Sequence, residues 1–312
     1  MSAVFGPVPS RRLGLSLGVD PLPFKTCNMD CVYCELGRTK TLTAERKAYI
    51  PVEQVLADVR AALQRWPRID HVTVTGSGEP TLHTGLGEII RGIRAMTDIP
   101  VSVITHSSLL HLPEVRADLC AADVLVPSLD AVTPQVFRSV NHPHASIDPQ
   151  EMVDGLIALR REFKGQIWLE IVFVRGMNDG PEEVAALREA IGRIRPDRVQ
   201  LNTVVRPPAY PFAEALTQEE LERLRDALGP PAEVIAELPH VAPAEPPEDP
   251  EGAIAAYLDR RPATADDLVA ALGVKREPTL RFLESLVERG DAEKLGAGER
   301  VYYRKVRKAA AR

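Results

Sequence analysis

The chain has 312 residues, 45% of them apolar, a formal charge of −6 and four cysteines. A single core stops growing near about 250–300 residues, so this length predicts one large domain and a small second one, and four cysteines are too few for a disulfide scaffold. No apolar run approaches the ~18 residues of a membrane span, and the opening MSAVFGPVPSRRLG lacks the regions of a secretory signal, so a cytoplasmic protein with no membrane partner is expected.

In chain order, the first marked feature is FKTCNMDCVYCELGRTK (24–40), which holds Cys27, Cys31 and Cys34 within eight positions. Beyond it, helical and strand patterns alternate. VEQVLADVRAALQRW (52–66) has apolar residues at helical spacing, and HVTVTG (71–76) is a β-branched run ending in glycine. TGLGEIIRGIRAMT with VSVIT, LPEVRADLC with DVLVPSLD, PQEMVDGLIALRREF with IWLEIVFV, and PEEVAALREAIGRI with RVQLNTVV repeat the theme. Five or six such units fit residues 14–235 and predict βαβ units around a parallel sheet, as a barrel or an open doubly wound fold. Ligands in such folds lie beyond the C-terminal strand ends, so GSGEP (76–80), THSS (105–108), SLDA (128–131) and RGMND (175–179) form the candidate pocket.

A Pro-rich acidic stretch, residues 238–251, reads as a linker between a core over 1–237 and a small unit over 252–312. Charge divides the same way: residues 1–251 hold 25 Lys and Arg against 35 Asp and Glu, net −10, and residues 252–312 hold 13 against 9, net +4. AIAAYLDRR, TADDLVAALG and EPTLRFLESLVERG predict three short helices, with Thr264 and Asp267 as a capping box, Gly273 as a stop, Pro278 in a first turn, and Leu280, Leu283, Leu286 and Val287 on one face. DAEKLG and ERVYYRK then suggest a hairpin. Three helices and a β-wing is the order of a winged helix-turn-helix.

An iron-sulfur cubane has four irons, each wanting a terminal ligand, usually thiolate. Three cysteines on one short loop would anchor three irons and leave the fourth open to bind something. Cys27-x-x-x-Cys31-x-x-Cys34, with Tyr33 before the third cysteine, resembles the signature of the radical SAM superfamily. That resemblance implies a partial (β/α)6 TIM-like barrel and a 4Fe-4S cluster whose open iron is chelated by S-adenosylmethionine. It also implies reductive cleavage of that sulfonium to methionine and a 5′-deoxyadenosyl radical, with electrons from an external donor. The metal ligands would be Cys27, Cys31 and Cys34.

GSGEP is similar to the superfamily's Gly-Gly-Glu-Pro motif, with Ser77 replacing a glycine; Gly76, Ser77, Gly78, Glu79 and Pro80 would hold the methionyl end, Glu79 facing the amino group. His106, where Asn is commoner, Ser128 and Asp130 toward the ribose, and Asn178 beside the adenine would complete the cofactor pocket with Tyr33. FGPVPSRRLGLSLGVD also resembles the start of the tRNA-wyosine synthase-like subgroup.

Plainer readings stand beside these. Three cysteines and a histidine suit zinc, although no second Cys pair is present. Cys120 reads as a buried packing cysteine rather than a fourth cluster ligand, and His142 and His144 as a plain loop rather than a metal pair. Arg11 and Arg12 suit either an anionic substrate or a surface strand pair. Asp130 and Glu170 suit core carboxylates as well, with Glu170 unassigned, and the basic tail a fraying terminus.

The leading expectation is a radical SAM enzyme with an unidentified substrate. RNA is suggested by the subgroup and by Lys275, Arg276 and Arg281 at the start of the third small helix. A peptide-modifying radical enzyme, or a DNA-binding regulator that senses its cluster or S-adenosylmethionine, are the alternatives.

Overall fold

In the computed structural model, residues 2–66, 68–235, 247–259, 261–297 and 300–306 are described. The chain opens with an antiparallel hairpin, β1 (Val4–Ser10) and β2 (Gly14–Val19), and then forms a two-residue parallel pair, β3 (Thr26–Cys27) and β4 (Thr41–Leu42). The alternating part follows: α1 (Val52–Arg65), β5 (His71–Val74), α2 (Leu86–Arg94), β6 (Val101–Thr105), α3 (Pro113–Leu119), β7 (Val124–Pro127), α4 (Pro134–Asn141), α5 (Pro149–Glu162), β8 (Gln166–Phe173), α6 (Pro181–Ile194), β9 (Arg198–Thr203), α7 (Gln218–Leu228) and β10 (Ala232–Val234).

One sheet of order β1-β2-β5-β6-β7-β8-β9-β10 results, parallel from β2 onward. The six units expected from sequence correspond to β2 and β5–β9. Antiparallel β1 and short β10 extend the sheet at its two edges.

Local chemistry explains these elements. α3, α4, α5 and α6 each begin on proline, whose missing N–H costs nothing in a first turn. α2 buries Leu86, Ile89, Ile90 and Ile93 while Glu88, Arg91 and Arg94 stay exposed. Each such aliphatic contributes about 1.5–3 kcal/mol before entropy is counted. One face of the sheet carries Val72, Val74, Val103, Leu125, Leu169, Ile171 and Leu201 against the helices. The other is polar toward β2, β5, β8 and β9: Ser16 bonds Thr73 at 2.7 Å, and Glu170 and Asn202 are buried there. Ile104, Val126 and Trp168 add an apolar patch to this face, giving the mixed wall usual for a ligand pocket.

After residue 247, α8 (Pro250–Leu258), α9 (Ala265–Leu272), α10 (Arg276–Glu288) and the hairpin β11 (Ala292–Ala297) and β12 (Arg300–Lys305) form a small unit. The Thr264–Asp267 capping box and the left-handed stop at Gly273 are present, and Leu283 and Leu286 are buried in its core. That core includes Val8 of β1, so the unit covers a sheet edge whose unpaired backbone would otherwise invite strand addition. Tyr302 adds a bond from its hydroxyl to the Val205 carbonyl at 3.0 Å. α8 starts at Pro250, capped by Asp249, slightly before the boundary at 252. Most of the expected linker, and the tail from 307, lie outside the described residues. Among those described, no helix is long and apolar enough to cross a membrane.

Cys120 is a correction: it caps α3 and is exposed, not packed in the core, because the helix ends with its last turn at the surface.

Candidate functional site

The cysteine loop is tied across the C-terminal strand ends by backbone bonds: Lys25 N–H to Ser77 at 3.1 Å, Glu79 N–H to Thr26 at 3.3 Å, Asp30 N–H to Asn141 at 3.1 Å and Val32 N–H to Val140 at 2.9 Å. Asn28 Nδ2 donates to Ser108 Oγ at 2.8 Å. The loops after β5 and β6 and the end of α4 therefore fix the segment that carries the three sulfurs.

Each sulfur has its own N–H donor. Lys25 Nζ lies 3.1 Å from Cys34 Sγ, His106 Nε2 3.4 Å from Cys27 Sγ, and Asn141 Nδ2 3.4 Å from Cys31 Sγ. Burial, then Asp130, pushes the Cys31 thiol well above its ordinary pKa, so a thiolate there needs a compensating cation. Burial pulls the pKa of His106 down, but Glu79 and then Cys27 outweigh it and raise it to about 9. Burial likewise opposes the charge on Lys25, and Cys34 overcomes it, raising its pKa.

Buried polar atoms without a partner gather around the same loop: His106 Nδ1, Asn141 Oδ1 and Asn28 Oδ1. Such atoms mark a place prepared for a polar group. Among the described residues no three His, Cys, Asp or Glu side chains converge on a single ion. Three spread sulfurs, each with a separate donor, fit a cubane whose terminal ligands sit on separate irons.

The GSGEP loop is shaped first by its neighbours. A Cβ on Gly78 would stand 1.7 Å from the Thr26 carbonyl, and one on Gly76 2.5 Å from Asp20 Oδ1. Ser77 donates its N–H and hydroxyl to Asp20 at 3.1 and 2.8 Å. Glu79 is 1% exposed and accepts from Thr81 N–H and hydroxyl, the Thr105 hydroxyl and His106 N–H, with His106 Nε2 3.2 Å away. It ties the end of β5 to the end of β6. Pro80 opens the following 3-10 turn.

Asp130 is a second hub. Its carboxylate accepts from the Tyr33 hydroxyl, from Asn141 Nδ2 at 2.7 Å and from Val172 N–H at 2.9 Å. Burial raises its pKa against these bonds. Asn178 lies behind it, fully buried, receiving Val174 N–H and donating to the carbonyls of Asp130 and Val172 at 2.8 and 2.9 Å. Ser128 bridges to Glu170 across the sheet.

The structure thus gathers Cys27, His106 and Glu79 in one group and Cys31, Tyr33 and Asp130 in another, with Asn178 as a brace. Lys25, Asn141 and Asp20 belong to the site and were not singled out from sequence. Only Lys25, two residues before Cys27, had a local signal. His142 and His144 hold the loop by backbone bonds, the His142 ring lying edge-on to Tyr210 at 5.1 Å.

Arg12 is not a surface residue: it forms a two-pronged pair with Glu170 at 2.6 and 3.2 Å, and Arg11 reaches Asn202 Oδ1 at 2.5 Å. Arg206, 7% exposed at its side chain, pairs with Glu35 at 2.8 Å. These contacts link the first hairpin and the cysteine loop to β8 and the segment after β9.

The profile of the Radical SAM superfamily matches residues 22–188. A protein of Brachyspira hyodysenteriae described as "GTPase Obg" is 38% identical over 92% of this chain, which spans only 43% of that protein. The UPF0026 protein slr1464 of Synechocystis is 35% identical over 73% of this chain and 83% of its own length. Among solved structures, Streptococcus suis SuiB covers 73% of this chain and 50% of its own, with a TM-score of 0.54 at 14% identity, a likeness of fold alone. The chain therefore belongs to the radical SAM superfamily of enzymes, which normally bind a 4Fe-4S cluster and S-adenosylmethionine, and within it to the UPF0026 proteins.

Proposed function

We propose that this protein is a radical SAM enzyme whose cluster is held by Cys27, Cys31 and Cys34 and whose S-adenosylmethionine lies over the strand ends beside it. The observation that carries this reading is the set of three sulfurs, each with a separate N–H donor, docked against GSGEP at the C-terminal end of a parallel sheet. Held by Cys27, Cys31 and Cys34, a cluster would supply one-electron chemistry: with an external donor, reductive cleavage of the sulfonium to methionine and a 5′-deoxyadenosyl radical.

The chain's own residues have distinct tasks. Lys25, His106 and Asn141 offset the negative charge of the thiolates by hydrogen bonding, which raises a cluster's potential. Gly76, Ser77, Gly78, Glu79 and Pro80 present the methionyl end, with Glu79 held rigid by four protein donors. Tyr33, His106, Ser128 and Asp130 line the nucleoside side, and Asn178 fixes the loop carrying Asp130.

The core over 1–237 would carry this chemistry, and the unit over 252–312 is a winged helix in its element order. At the start of α10, Arg276 is already paired with Asp266 and Arg281 with Glu277, each at 2.8 Å. Both pairs are exposed and leave nucleic-acid binding open, while the packing of the unit on Val8 of β1 supports a covering role at the sheet edge. RNA, toward which the wyosine synthase-like hairpin points, and peptide remain substrates to be tested by mass shift.

The deciding experiment is anaerobic reconstitution, reduction and addition of S-adenosylmethionine. 5′-Deoxyadenosine should form with wild type and not with Cys31→Ala. Its absence from a wild type that carries the cluster would overturn the proposal.

A further inference from the structure

A cavity of about 210 Å³ lies between the first hairpin, the cysteine loop and the small C-terminal unit, bordered by Arg11, Arg12, Arg206, Arg261, Glu35 and Ser77. Four guanidinium groups on one small cavity is an unusual concentration of charge in a protein of net −6. Their compensation is incomplete, although Asp20 and Glu35 both line the cavity. Arg12 is matched by Glu170 and Arg206 by Glu35. Arg11 and Arg261 have neutral oxygens as direct hydrogen-bond partners, Asn202 Oδ1 for Arg11 and the Tyr257 hydroxyl, at 3.0 Å from Nε, for Arg261, and share the more distant charge of Glu35.

Buried charges ordinarily carry an opposite charge, and a guanidinium left on neutral partners is costly. The cost is visible at Arg11: burial lowers its pKa to about 10 despite the attraction of Glu170. The inner wall is mixed: hydroxyls of Ser16, Thr73 and Ser77 stand beside apolar Phe5, Leu13 and Ile104. At this volume the cavity is smaller than the ~300–1,000 Å³ pockets of drug-sized ligands, so it suits a small anion or one anionic group of a larger molecule.

We propose that this cavity is an oxyanion site, in which Arg11 from the β1–β2 turn and Arg261 from the C-terminal unit clamp a phosphate or carboxylate of the substrate. Planar forked donors from two sides match the geometry of such an oxyanion. The small unit then has a binding role: it carries one jaw of the clamp. Assigning the anion to the substrate rests on the radical SAM reading of the adjoining loop; the anion site itself does not.

The test uses the full chain, titrated at constant ionic strength with inorganic phosphate and, separately, with acetate, by calorimetry and by thermal midpoint. Saturable binding of at least one is expected, weakened at least tenfold in Arg11→Gln and in Arg261→Gln, and undiminished by saturating S-adenosylmethionine. Tighter phosphate binding identifies a phosphate ester, tighter acetate binding a carboxylic acid. No saturable binding of either anion, wild-type affinity in both variants, or displacement by S-adenosylmethionine would overturn the proposal, the last by giving the cavity to the cofactor. Should Arg11→Gln not fold, Arg261→Gln decides alone. If the radical reading is the one at fault, wild type binds the anion but forms no 5′-deoxyadenosine.

Discussion

Gly78→Ala is the smallest change that separates the two loops of the site. The added methyl carbon would stand 1.7 Å from the Thr26 carbonyl oxygen and 2.6 Å from its carbon, both backbone atoms that no rotamer change can remove. Gly78 does not sit in the left-handed region, so the conflict is steric and not conformational. Relief requires the loops to part, breaking the bonds from Lys25 N–H to Ser77 and from Glu79 N–H to Thr26. Two hydrogen bonds at about 0.5–1.5 kcal/mol each, and overpacking at about 1–3 kcal/mol, outweigh the roughly 0.4–1 kcal/mol that alanine returns by restricting the unfolded chain. The net expectation is a loss of about 2–4 kcal/mol in urea unfolding of the cluster-free protein, with poor retention of iron after reconstitution. A variant as stable as wild type, with a full iron complement, would refute the view that GSGEP positions the cysteine loop by direct contact.

Glu170→Gln leaves Arg12 facing an uncharged partner and should cost about 3–5 kcal/mol, measured by denaturant unfolding at neutral pH. Burial pushes the Glu170 carboxyl up, but Arg12 and then Arg11 hold it below its usual 4.5, so its stabilisation is complete above that value and is lost as pH falls through the lower folded one. The variant should lack this acid limb; an unchanged acid dependence would show that the pair does not contribute. Asn178→Ala removes three bonds to backbone, and the cluster-free protein should lose about 2–4 kcal/mol before any cofactor is added. Normal stability with weakened S-adenosylmethionine binding alone would instead make Asn178 a direct contact.

What the sequence revealed was local. β-Branched runs and helical periodicity outline β5–β9 and α1, α2, α5 and α6, because those signals lie within about fifteen residues of chain. α4, eight residues led by Pro134, went unread, yet its last residue, Asn141, reaches both Cys31 and Asp130. Spacing identified the cysteines but not their donors, since Asn141 lies 110 positions from Cys31 and His106 79 from Cys27. Charge pairing hid in the same way: nothing local joins Arg12 to Glu170 or Arg206 to Glu35. The glycines of GSGEP were expected to admit a ligand, whereas their nearest neighbours are Thr26 and Asp20.

In the proposed function the protein supplies three cluster ligands and leaves one iron for S-adenosylmethionine. Electron paramagnetic resonance of the reduced, reconstituted protein, recorded with and without S-adenosylmethionine, tests it most directly. A 4Fe-4S signal whose g values shift on addition of S-adenosylmethionine is expected. A signal that does not change, or a preparation holding one zinc and no iron-sulfur signal, would contradict it.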